Sequence, residues 1–65
     1  MNISEAVQKA ADENNIGGVV AMADHCKLSY ERTVRVWKGD HSAKLADVIT
    51  VLSSVGLRLC IEKLD

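Results

Sequence analysis

Five side chains within residues 29–39 stand out for what they can bond. Arg32 and Arg35 each carry a guanidinium, a planar fork of donors. Such a fork matches paired acceptors: a carboxylate, a phosphate, or the O6 and N7 edge of guanine. Glu31 is acceptor-only and complements an amino group such as cytosine N4. Ser29 and Tyr30 add hydroxyls at the start of the same segment. This set can read hydrogen-bond patterns. It holds no nucleophile beside a base, so recognition is expected rather than catalysis.

Those residues need a helix to aim them. Ser29 is a good N-cap and Gly39 a good C-terminal stop, so a short helix is expected between them. At about 100° per residue, Tyr30, Val34 and Trp37 share an apolar arc, with Thr33 beside it. Glu31, Arg32, Arg35 and Lys38 fall on the other side. A helix with one packing face and one cationic face suits the major groove of duplex DNA. Base contacts are therefore expected from Ser29, Tyr30, Glu31, Arg32 and Arg35. Lys27, Lys38 and Lys44 are expected on phosphates, which add affinity without sequence information. His41 and Ser42 belong to a loop whose backbone N–H groups are expected to face a phosphate as well.

Other reactive residues do not assemble. His25, Cys26, His41 and Cys60 lack the close paired spacing of a zinc site. Asp24, His25 and Cys26 are consecutive, and consecutive helical residues diverge by about 100°. Gly17-Gly18 lacks the spaced glycines and lysine of a phosphate-binding loop. No enzyme activity, cofactor, metal or small-molecule substrate is expected.

The net charge of −1 hides an uneven distribution. Residues 1–26 set Lys9 against Glu5, Asp12, Glu13 and Asp24, a net of −3. Residues 27–44 set Lys27, Arg32, Arg35, Lys38 and Lys44 against Glu31 and Asp40, a net of +3. Residues 45–65 return to −1. A basic segment between acidic ends is a local electrostatic footprint. No stretch approaches the ~18 apolar residues of a membrane span, and the N-terminus lacks signal-peptide character. With two cysteines and no disulfide framework, a cytoplasmic protein is expected.

The remaining elements are read from caps and periodicity. Asn2 with Glu5 forms a possible capping box for helix 1, whose apolar stripe is Ile3, Ala6, Val7, Ala10 and Ala11. Asn14-Asn15 and Gly17-Gly18 mark a turn. Helix 2 spans about residues 18–25, with Val19, Met22, Ala23 and Cys26 inward. Lys27-Leu28 connects it to helix 3. Ser42 or Asp40 can cap helix 4, whose stripe is Leu45, Val48, Ile49, Leu52 and Val55. Leu57, Leu59 and Ile61 then alternate with Arg58, Cys60 and Glu62, the pattern of a half-buried strand.

Two helices joined by about three residues, the second one basic, describe a helix-turn-helix. The string from Leu28 through Trp37, Lys38 and Gly39 is similar to the recognition segment of the lambda-repressor-like DNA-binding domains. The small size and C-terminal strand resemble the phage Cro repressors within that group, and residues 45–59 also look like part of antitoxin repressors. Gly17-Gly18 stand where the family often has Gln, and Lys27 stands near the place of its turn glycine. From Leu28 to Trp37 the spacing looks one residue longer than the family pattern. The resemblance implies a homodimeric repressor on a short pseudo-palindromic operator.

The expected fold is a single domain over residues 1–65, mainly α (α+β), with four to five short helices and one C-terminal strand. A domain of 65 residues is marginal alone, and one strand cannot satisfy its own backbone groups. The strand over about residues 57–64 is therefore expected to pair with its copy, with Leu57, Arg58, Leu59, Cys60, Ile61 and Glu62 at the interface. A register centred on Cys60 would set Arg58 opposite the Glu62 position of the second copy. A toxin-binding antitoxin and a protein-interaction adaptor meeting an acidic partner are the alternatives.

Overall fold

A computed structural model of the protein describes residues 2–60. Its regular structure is four helices: α1 (Ile3–Glu13), α2 (Val19–Cys26), α3 (Tyr30–Lys38) and α4 (Leu45–Ser54). Local cap chemistry explains several of the boundaries. Asn2 accepts from the Glu5 N–H at 2.8 Å and donates to the Glu5 carboxylate at 3.1 Å, closing the expected capping box. Ser29 accepts from the Arg32 N–H at 3.3 Å and so starts α3.

All four helices end in the same way. A left-handed residue follows each: Asn15, Lys27, Gly39 and Gly56. The next residue then donates its N–H back five positions: Ile16 to Ala11, Leu28 to Ala23, Asp40 to Arg35, and Leu57 to Leu52. These are Schellman closures. In three of them the returning residue is apolar, and Ile16, Leu28 and Leu57 all pack onto the core. Asp40 is the exception and stays on the surface. Helix ending and core anchoring are thus one event at three corners, and the fourth corner is left polar.

The core draws on every helix. Val7, Ala10 and Ala11 of α1, Met22 of α2, Val36 of α3, and Val48, Val51 and Leu52 of α4 form one cluster with Val55. Small residues on α1 let α3 approach. A Cβ at Gly39 would come within 3.2 Å of the Ser4 Cβ, and φ there is +71°. Glycine is required at that corner on both counts.

Four expectations need correction. The inward face of α4 is Asp47, Val48, Val51 and Leu52, while Leu45 is 61% and Ile49 46% exposed. One chain supplies too little opposing surface to cover so wide a stripe. Neither Ser42 nor Asp40 caps α4: the N-cap is Lys44, without a side-chain hydrogen bond. On α1, Ile3 is exposed rather than buried. The described residues contain no strand, and Leu57 to Cys60 have no regular secondary structure. A lone strand has no ladder partner within this chain. Ile61 and Glu62, the rest of the expected strand, lie outside the described residues.

Candidate nucleic-acid interface

α2 and α3 are joined by Lys27, Leu28 and Ser29. The connection has the expected length of about three residues. Lys27 makes the turn at φ 58° and ψ 39°. A side-chain-bearing residue there costs roughly 1–2 kcal/mol, which explains why glycine suits the place. Leu28 then drops into the core and Ser29 opens α3.

The roll of α3 differs from the sequence expectation. Thr33 is fully buried and Val36 nearly so, while Tyr30 is 54% exposed. The inward arc is Thr33 and Val36 with the half-buried Trp37, so Trp37 keeps its expected place while Tyr30 turns outward. Thr33 can occupy the core because its hydroxyl donates to the Ser29 carbonyl at 2.9 Å. The other end is held by α1. Ser4 Oγ donates to the Trp37 carbonyl at 2.6 Å, and Gln8 Nε2 reaches the same oxygen at 3.1 Å. That carbonyl is one of the four that a helix leaves unbonded at its C-terminal end.

Arg32 faces a partner within the chain. Its Nε donates to Asp47 Oδ2 at 3.1 Å and its Nη2 donates to Asp47 Oδ1. Asp47 is 3% exposed, in the first turn of α4. The guanidinium bonds hold the Asp47 carboxyl below the usual carboxylate range, with a smaller Coulombic contribution from Lys44 and Arg35. The same pairing raises the Arg32 guanidinium. Arg32 was expected on a base edge, but its fork is committed to Asp47. It is a clamp between α3 and α4. The sequence signal for this role was present: an acidic residue in the first turn of the next helix.

What remains outward is a compact set. At about 100° per residue, Glu31 and Lys38 lie opposite the buried arc, with Arg35 and Val34 on either side and Tyr30 at the margin. Glu31, Arg35, Lys38 and Tyr30 are exposed and Val34 is half-buried. Among the described residues the one ion pair is Arg32–Asp47, so Arg35 is not held by Glu31. Ser29 is exposed at the N-terminal end of this face.

The expected phosphate contacts divide. Arg35, Lys38 and His41 line a cleft of 660 Å³ between the start of α1 and the end of α3, with Asn2 and Ser4 on its far wall. Lys27 and Lys44 are exposed on the turns flanking α3. Ser42 is different. Its N–H and its hydroxyl both donate to Asp40 Oδ1 at 2.7 Å, which lowers the Asp40 pKa. A Ser42 N–H offered to phosphate is therefore corrected: that donor is spent on closing the loop. Lys44 occupies the N-cap of α4, where a cation opposes the helix dipole. An anion bound there would relieve that opposition.

Of the expected interface residues, Leu57 packs onto the core, while Arg58, Leu59 and Cys60 are exposed. Among the described residues, no three His, Cys, Asp or Glu side chains are grouped as a metal site requires. No helix among them is long and apolar enough to cross a membrane. Comparison with protein-family models, curated proteins and solved structures finds no match.

Proposed function

We propose that the chain is a sequence-specific double-stranded DNA-binding transcriptional repressor of the phage Cro type, working in the cytoplasm of a bacterial host. The observation that carries this reading is the split of α3. Its inner arc is fixed by Thr33, Val36 and the Arg32–Asp47 pair. Its outer arc presents Glu31, Arg35 and Lys38 to solvent at the end of a three-residue turn from α2. A helix so held has the direction and polarity to lie in a major groove, with α2 against the backbone. Arg35 takes the guanine edge, Glu31 a cytosine amino group, and Ser29 and Tyr30 the entering end of the helix. Lys27, Lys38, His41 and Lys44 contact phosphates.

The active species is a homodimer on a short pseudo-palindromic operator. Exposed Leu45 and Ile49, one turn apart on α4, give the chain an apolar surface suited to protein contact. The same apolar surface is what an antitoxin would offer a toxin, and that is the second reading. Affinity for duplex DNA measured against salt tests the DNA assignment. Loss of about 0.9 log units per log unit of salt for each neutralised phosphate is expected. No duplex binding at low salt would instead favour an adaptor.

A further inference from the structure

We propose that Val34 is a specificity-determining residue that reads the C5-methyl group of thymine. The proposal rests on the DNA-binding reading above and names the one apolar element of its recognition face. Val34 sits about 100° from Thr33 and about 160° from Val36, the two buried positions of α3. Among the described residues, the partly buried apolar side chains packed on the core are Ile16, Cys26, Leu28, Trp37, Ala43 and Leu57, and Val34 is not one of them.

Val34 is half-buried, but the core cluster does not account for it, and its accessible part lies on the outer arc. β-Branched residues are weaker helix formers than the straight-chain alternatives. Its helical neighbours one turn away are the half-buried Trp37 on the inner side and Tyr30, Glu31 and Lys38, which with Arg35 next in sequence are exposed. Val34 is therefore an apolar spot surrounded by groups able to bond base edges and phosphates. Its two methyls are stiff at χ1, so they hold one position relative to those groups. In the major groove the one exocyclic apolar group is the thymine methyl. The adjoining polar groups would fix the register, and Val34 would test for that methyl beside them.

The test uses the full chain. Duplexes are first selected from a random pool, and the thymines of the selected half-site are then replaced one at a time by uracil. For wild type, one uracil per half-site is expected to weaken binding about fourfold, the effect of one buried methyl. Val34→Ala is expected to bind the thymine duplex more weakly and to lose the thymine–uracil difference at that position, with other base preferences kept. If duplexes are selected but no uracil costs affinity, the Val34 assignment is overturned and DNA binding stands. If the uracil penalty persists in Val34→Ala, another side chain reads the methyl and the assignment is likewise overturned. If no duplex is selected, both readings fall together.

Discussion

Arg32 and Asp47 join α3 to α4 through two parallel hydrogen bonds, and the carboxylate end of the pair is buried. This pair accompanies the roll of α3 that buries Thr33 and Val36. It turns Arg32 away from recognition and leaves Arg35 as the outward guanidinium. Under the proposed function, two arginines three residues apart thus have opposite duties.

Paired substitutions separate those duties. Arg32→Ala leaves a buried carboxylate without its partner, so it should lower the melting temperature while leaving the ranking of DNA sequences unchanged. Arg35→Ala should leave melting nearly unchanged. It should cost about 1–3 kcal/mol of discrimination at one base position. Thermal melts and competition binding on both variants provide the check. A shift in base preference from Arg32→Ala would contradict the clamp.

The same pair gives stability a defined acid dependence. The folded-state pKa of Asp47 lies below its ordinary value because Arg32 bonds the charged form. Asp40 is lowered as well, by the N–H and hydroxyl of Ser42. Stability from such groups is present above the unfolded pKa, about 3.9, and is lost as pH falls through the folded one. Wild-type melting temperature should therefore drop below about pH 4. Asp47→Asn should start lower at pH 7 and lose less between about pH 5 and 3. Equal losses in the two proteins would show that Asp47 does not carry the acid limb.

Lys27 adopts a left-handed conformation at the turn. Lys27→Gly should relieve the backbone cost and raise stability by on the order of 0.5–1 kcal/mol, after allowing for the freer unfolded chain. In a domain this small that is a few degrees of melting temperature. DNA affinity should move the other way, because a phosphate contact is lost. A variant both less stable and equally tight would remove Lys27 from both roles.

Lys44 caps α4 with no side-chain hydrogen bond and with its charge against the helix dipole. Lys44→Ala should weaken binding to all duplexes alike and reduce the salt slope by about 0.9. Its effect on melting should be small or favourable. A sequence-selective loss would move Lys44 from the backbone to a base.

The helices and the caps of α1 and α3 were legible from sequence because cap chemistry is local, whereas the cap of α4 was not. Asn2 with Glu5, Ser29 and Gly39 each act within a few residues of their own position. The three-residue turn was legible for the same reason. The roll of α3 was not. Apolar side chains at Tyr30, Val34 and Trp37 suggest one arc, yet the core took Thr33 and Val36 beside Trp37 and left Tyr30 outside. The Arg32–Asp47 pair that accompanies this choice spans fifteen residues, beyond the reach of local patterning. The exposure of Leu45 and Ile49 was equally hidden, because periodicity shows which residues are apolar and not how much surface is available to cover them. The lysine at position 27 carries no local cue to a left-handed conformation, and the one pointer was its place near the turn glycine of the resembled family.

The central claim is that α3 reads duplex DNA as one half of a symmetric pair. Selection of bound duplexes from a random pool by the full chain tests it most directly. The account predicts an inverted repeat with half-sites about 34 Å apart, each with a guanine whose selection is lost in Arg35→Ala. A pool that shows no enrichment at low salt would contradict it.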